Sequence, residues 1–349
     1  MAARIKDVAL RAGVSIATVS RVLANHPYVK DDVREAVRTA MRELNYQPSR
    51  TARSLRVRQS RIIGLIISDI LNPFFHAVVR AVEDVASANE YAVFLCNTDE
   101  DAAKEDLYIS LVLAERVAGV IIAPSRERDD PTLRLLDAGT PVVVLDRRVA
   151  DVSVDTVATD HTRGAYDLVS HLVSDGHTRI GAVLGDPIVT SGRERYEGFA
   201  QALREHNLAL RPQWVRTGIP RDPTGYRLTH ELLSQEDRPS AIFTGNNLLT
   251  LGALRAIHDM ELRMPEDIAL AGFDEVEWMS LLEPGLTVAA QPTYDLGKTA
   301  AELLFQRIAR PDRPTELVLR RAELKIRHSC GQHPVEPSVA LGSIAAPAR

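Results

Sequence analysis

Asp69, Asp146-Arg147, Asn246-Asn247 and Asp274 each follow directly on an apolar run of strand type. Groups at the carboxyl ends of parallel strands face the crevice where open α/β sheets bind ligands. Carboxylates and amides there can accept from and donate to hydroxyls, and Arg195 can add a planar two-point pair. The competing role for each strand-end Asp or Asn is to cap the helix that follows. A second set, Ser15, Ile16, Ala17, Thr18, Ser20, Arg21 and Asn25, clusters near the N-terminus. Arg21 can bond guanine O6 and N7, while apolar Ile16 and Ala17 can only meet a thymine methyl. Thr18, Ser20 and Asn25 suit phosphate contact or packing, which position without specifying.

Catalytic patterns fail on single positions. Gly297-Lys-Thr299 ends like a phosphate loop, but Pro292 stands where the first Gly is required. Asp99-Glu-Asp101 opens like a calcium loop, yet its sixth position is Lys104 instead of Gly. Cys96 and Cys330 are far apart and point to neither a disulfide framework nor a metal site. No enzyme, metal or cofactor is expected.

The N-terminal set needs short helices to carry it. Ile5, Val8 and Ala9 share one helical face, Gly13 permits a tight turn, and Ser15 is placed to cap a second helix with Val19, Val22 and Leu23 inward. Two short helices with a Gly-containing turn form the helix-turn-helix pattern of DNA binders. A third helix is expected with Asp31 as cap and Tyr46 and Pro48 as its end. The run from Pro48 to Arg56 is too short for a stable lone helix. In it Ala52 and Leu55 share a face among Arg50, Arg53 and Arg56. An apolar wedge between arginines suits a minor groove; the other possibility is that Leu55 packs on the following domain.

From Ile62 onward, apolar strand runs (92–97, 119–123, 141–146, 179–184, 240–244, 268–273) alternate with helical patterns (77–88, 107–116, 161–174, 195–206). This predicts α/β units, too many for one sheet, hence two lobes. Crossovers are placed near Asp155–Thr162 and Gln291-Pro292. Residues 1–60 hold 12 Lys/Arg against 5 Asp/Glu, a net +7 that leaves −12 on the rest of a chain of net charge −5. A basic head on an acidic body is expected when only the head meets nucleic acid. No signal peptide and no membrane-spanning run is seen, which predicts a cytoplasmic protein.

Several spaced blocks carry a resemblance. Ile5-Lys-Asp-Val-Ala, Val14-Ser-Ile-Ala-Thr-Val-Ser-Arg-Val-Leu23, Asn45-Tyr-Gln-Pro-Ser49, Ala52-Arg-Ser-Leu55, Asp69-Ile-Leu-Asn-Pro-Phe-Phe75, Arg195-Tyr-Glu-Gly-Phe199 and Gly272-Phe-Asp274 resemble the lactose-repressor family of bacterial transcription regulators. The resemblance runs to about residue 328. It implies an all-α helix-turn-helix head with a two-lobed α/β sensor of periplasmic-binding-protein type. The implied division is a head at 1–48, a hinge at 49–59 and a sensor at 60–330. Lobe 1 would be 60–160 with 291–322, and lobe 2 would be 161–290 with 323–330. A Pro/Ala/Ser-rich tail at 331–349, expected to be disordered, lacks the leucine heptads of a four-chain zipper.

On this resemblance the protein is a homodimer binding a palindromic double-stranded DNA operator. Ser15, Ile16, Ala17, Thr18, Ser20, Arg21 and Asn25 would meet the DNA with the second helix, Ile16 and Ala17 standing where the family reads the operator. Ala52, Leu55 and Arg56 would meet it at the hinge, Leu55 as the minor-groove wedge. Arg195, Asn246 and Asp274 match the family's hydroxyl-binding positions, with Asp69, Phe75, Asp146 and Arg147 on the other lobe, so a sugar effector is expected. Two departures bear on the ligand. Asn247 stands where the family commonly has Asp, and Ile219-Pro220 offers no aromatic where the purine-binding branch stacks its ligand. Trp278 is open to two roles, stacking on a sugar or packing in a core or interface.

Overall fold

The computed structural model describes residues 3–23, 26, 28–46, 60–127, 132–150 and 152–331. The chain divides into two compact units, Met1–Ser60 and Arg61–Arg349. Of the first unit, α1 (Ile5–Arg11), α2 (Ile16–Leu23) and α3 (Asp31–Glu43) are seen. Val8, Ala9, Val19, Val22, Val37 and Ala40 form its core. Gly13 has φ +66°, the left-handed conformation that lets α1 turn into α2.

Two details of α3 differ from expectation. Asp31 lies inside its first turn and Lys30 holds the cap position. Asp31 and Asp32 instead complement the positive end of the helix dipole. The helix stops at Glu43 because Asn45 turns left-handed at φ 46°, with Tyr46 N–H returning to Met41 O at 2.9 Å.

The second unit holds two six-stranded sheets of the same order. In lobe 1, β2 (Ala92–Asn97), β1 (Ile62–Ile67), β3 (Gly119–Ile122), β4 (Val142–Leu145), β5 (Asp155–Thr159) and β11 (Leu317–Arg320) are all parallel. In lobe 2 the order is β7 (Val215–Gly218), β6 (Ile180–Gly185), β8 (Ala241–Thr244), β9 (Ala269–Phe273), β10 (Thr287–Ala290) and β12 (Glu323–Lys325). There only β12 runs antiparallel. The central strands β1, β3 and β4 are apolar throughout, as strands covered on both faces are. The chain leaves lobe 1 after β5, returns after β10, and its last two strands close one edge of each sheet.

The helices of lobe 1 are α4 (Pro73–Ala88), α5 (Ala102–Ala114) and α6 (Thr132–Asp137), joined by α11 (Thr293–Ala309). Lobe 2 carries α7 (His161–Ser174), α8 (Thr190–Glu205), α9 (Asp222–Leu233) and α10 (Asn247–Asp259). α4, α5 and α8 start about a turn earlier than their apolar periodicity suggests. For two of them a side-chain cap fixes the start: Asn72 accepts Phe74 N–H at 3.0 Å, and Asp101 accepts Ala103 N–H at 2.7 Å. Cys96 is buried core, with its thiol pushed up to about 11 by burial. Trp278 packs on the lobe 2 core with Met279 and Leu282 and does not reach the cleft. No helix of the described residues is long and apolar enough to cross a membrane.

Candidate ligand cleft and DNA-reading face

In the head, Ser15 Oγ accepts Thr18 N–H at 3.1 Å and meets Thr18 Oγ1 at 2.9 Å. Both hydroxyls thus serve the cap of α2. Ile16 is half exposed, Ala17 and Arg21 are exposed, and Thr18 and Ser20 are only partly so. The Arg21 guanidinium has no carboxylate partner among the described residues. It borders a shallow hollow with Thr18, His26, Tyr28 and Lys30. Tyr28, 90% exposed, escaped sequence reasoning, although an aromatic just after a proline is a readable surface signal. Arg34 braces this turn by donating to His26 O at 3.1 Å. Asn25, Ala52, Leu55 and Arg56 lie outside the described residues.

Between the lobes lies a cavity of about 330 Å³. It draws on the carboxyl ends of both sheets: Ser68, Ser125 and Asp146-Arg147 follow β1, β3 and β4, while Asp186, Asn246 and Asp274 follow β6, β8 and β9. Phe75 and Arg195 also line it. Asp146 and Asp274 occupy equivalent places in the two sheets, and each is left-handed, at φ 65° and 73°. Such backbone costs of order 1–3 kcal/mol in a non-glycine residue and persists only where the surroundings hold it.

Asp69 stands outside the cavity. Its Oδ1 turns back to accept Leu71 N–H at 2.8 Å, and burial raises its carboxyl pKa. Arg147 lines the cavity but is committed elsewhere, its guanidinium forked on Glu100 and donating to Pro124 O at 2.7 Å. Burial pushes Glu100 up, yet the attraction and hydrogen bonds of Arg147 hold it below the usual carboxylate value. This pair is a fixed wall, and Glu100 was not foreseen because its partner lies 47 residues away.

Arg195 is the central cation. Nη1 donates to Gly245 O, Nη2 meets His161 Nδ1 at 3.3 Å, and Cζ lies 4.1 Å from the Phe273 ring centroid. Its Nε is buried without a hydrogen-bond partner among the described residues. Asn246 is a helix cap that also borders the cavity. Its Oδ1 caps α10 by accepting Leu249 N–H at 2.9 Å, while its side chain lines the cavity. Asp274 accepts Gln291 Nε2 through one oxygen and Asn247 N–H at 3.3 Å through the other. Asn247 Nδ2 also donates to Asn72 Oδ1 at 2.9 Å, linking the lobes. Further ties are Arg148 N–H to Thr190 Oγ1 at 2.8 Å and the pairs Arg148–Glu194 and Arg193–Glu127. The polar part of the lining is Asp146, Asp274, Asn246, Gln291 and Arg195. Phe74, Ile188, Val189, Ile219 and Pro220 give apolar walls.

Burial, followed by the charge of Arg195, lowers the His161 pKa well below its ordinary 6.5, although its bond to Asp146 O opposes this. The folded imidazole is neutral while the unfolded one protonates near 6.5. The unfolded chain thus binds the extra proton, and stability is lost as pH falls below that value, by about 1.4 kcal/mol per pH unit. Thermal melts across this range should show that loss in the native chain and a flatter profile in His161→Gln. Equal slopes in both would discard the assignment.

Residues 4–49 match the family described as bacterial regulatory proteins, lacI family, and residues 60–328 match periplasmic binding proteins and sugar binding domain of LacI family. The chain is 35% identical to the HTH-type transcriptional repressor PurR of Mannheimia succiniciproducens, covering 94% of this chain and 98% of that protein. Among solved structures it is similar to the lac repressor dimer bound to operator and the anti-inducer ONPF. That similarity has a TM-score of 0.83 and 29% identity, over 95% of this chain and 100% of that one. It is also similar to the transcriptional regulator CelR in complex with cellobiose, with a TM-score of 0.71 and 28% identity, over 94% and 99% of the two chains.

Proposed function

This chain belongs to the LacI family of bacterial regulatory proteins, and from that premise we propose that it is a dimeric repressor whose hold on a palindromic operator is set by a sugar in the interlobe cleft. It is a DNA-binding transcriptional repressor and not an enzyme. The observation that carries the sugar is a lining that joins several polar side chains with apolar ones. Asp146, Asp274, Asn246 and Arg195 offer acceptors and donors to neighbouring hydroxyls, while Phe74 and Ile219 suit the apolar face of a pyranose.

A purine is the second reading, favoured by the identity to repressors named PurR. Against it, the cavity's aromatic rings, Phe74 and Phe75, both come from lobe 1, and lobe 2 offers Ile219 and Pro220 but no ring to complete a sandwich around a flat base. In the proposed complex α2 enters the major groove, and residues 49–59 lay Leu55 into the central minor groove between Ala52 and Arg56. Sugar and operator couple through lobe closure, so each must change the other's affinity by one common factor.

Selection of random duplex DNA by the purified chain, followed by operator titration with a panel of sugars and purine bases, tests this. A palindrome whose affinity moves with a sugar supports the proposal. A response to purines alone rejects the sugar, and recovery of no palindrome rejects the dimeric operator reading. Within the same assay Arg21→Ala should cost about 1–3 kcal/mol at one base pair and relax preference there. An unchanged site profile would remove Arg21 from base reading.

A further inference from the structure

The first turn of α7 sets buried His161 against Arg195 and Asp146 O behind the cleft; its other end brings together three side chains of metal-binding type. His171 lies in the last turn of α7, and Asp175 is its C-cap. Four residues apart on a helix, they share a face. His171 Nε2 and Asp175 Oδ2 are 3.3 Å apart. Cys330, beyond β12, brings Sγ to the same point, so that one ligand atom from each residue lies within 4.8 Å of the other two. Cys330 is 1% exposed, and the side chains of His171 and Asp175 keep 9% and 13% of their surface open. The cluster is sheltered on the protein side and reachable from one direction.

We propose that His171, Asp175 and Cys330 form a site for a zinc-class divalent metal ion. An imidazole nitrogen, a carboxylate oxygen and a thiolate are a ligand set for such an ion, whereas magnesium and calcium take oxygen. Tetrahedral bonds of about 2.0–2.1 Å place a nitrogen and an oxygen about 3.3 Å apart, which matches the His171–Asp175 separation. A metal–sulfur bond of about 2.3 Å asks Sγ to stand about 3.6 Å from those atoms, a closing movement of roughly an ångström at most. On binding, the thiol proton passes to solvent as the metal–sulfur bond forms, and water completes the fourth position.

The surrounding contacts suit this role. His177 Nε2 lies 2.7 Å from Cys330 O, and Ser329 Oγ donates to Leu270 O at 2.6 Å, fixing the backbone that presents the sulfur. Such outer contacts are what hold a first ligand shell in place. The metal would tie the chain beyond β12 to α7 at the end of lobe 2 away from the cleft. The sequence hides this site because its ligands come from the two ends of the lobe's chain. A His–Asp ion pair beside an ordinary core thiol uses the same atoms, but it gives no metal–sulfur signature.

The test is titration of the untagged, chelator-treated full chain with Co²⁺ alone. The expected result is a sulfur-to-cobalt charge-transfer band saturating at about one equivalent, as a single three-ligand site requires. The band should vanish in Cys330→Ser and persist in Cys96→Ser. Loss of His171 or Asp175 ligation in His171→Ala and Asp175→Asn should weaken Co²⁺ binding by about tenfold or more. Zn²⁺ should displace the cobalt and raise the melting temperature of the native chain. Absence of the band in the native chain, or its survival in Cys330→Ser, overturns the site. The native titration decides even if a variant fails to fold, and its outcome is independent of which effector fills the cleft.

Discussion

Arg195→Ala is expected to abolish the effector response while leaving effector-free operator binding intact. The guanidinium is held by Gly245 O, His161 and the Phe273 face, lines the same cavity as Asp146 and Asp274, and its charge favours the ionised form of buried Asp146. Its loss removes a cation from a cavity that also holds Asp146 and Asp274, and leaves the Gly245 carbonyl without its donor. Truncating one partner of a buried charged network typically costs about 2–5 kcal/mol in affinity, or roughly thirtyfold and upward. Arg195→Lys should recover little, because an ammonium restores the charge but not the planar fork. Calorimetric titration with the identified effector measures this directly. An Ala variant within about threefold of the native affinity, a difference of only about 0.65 kcal/mol, would show that Arg195 is a structural residue and not a ligand-binding one.

Gly252→Val is expected to produce a large loss of stability in the sensor. A Cβ at this position would lie 2.3 Å from Asp222 O and 2.4 Å from Tyr226 N, both backbone atoms of α9. Neither can step aside without moving the helix, so α9 and α10 must part. Parting them loosens the packing of Leu228, Leu249 and Ala253 in the lobe 2 core. Overpacking a close contact costs about 1–3 kcal/mol, and a clash with backbone belongs at or above the top of that range. Because α10 begins beside Asn246, its shift should also weaken the cleft. A melting temperature within a degree of native would mean the two helices separate more freely than this packing implies.

Much of the molecule was legible because its cause is local. In the head, the spacing of Val8, Ala9, Val19 and Val22, the left-handed Gly13 and the Ser15 cap all act within a few residues of one another. Central strands such as Ile62–Ile67 were readable as unbroken apolar runs, since a strand covered on both faces leaves no polar alternation. The edge strands β7, β11 and β12 were missed, because Val215–Gly218, Leu317–Arg320 and Glu323–Lys325 are short and partly exposed, and the inner strands β5 and β10 were missed because Asp155, Thr156, Thr159 and Thr287 break their apolar runs. The early starts of α4 and α5 were present in the sequence as Asn72 and Asp101, but a periodicity criterion passes over caps.

The cleft divides along the same line. That Asp146, Asn246 and Asp274 face one cavity follows from their position after strands, a rule of topology that residue order alone expresses. What each side chain does there was decided by partners distant in sequence. Arg147 turned to Glu100, Asn247 reached Asn72 across 175 residues, and Asp69 folded back on its own loop instead of joining the cavity. Burial makes the difference. Most buried polar atoms find a partner, and which partner is nearest depends on how two lobes meet, a distance that no local pattern of residues contains.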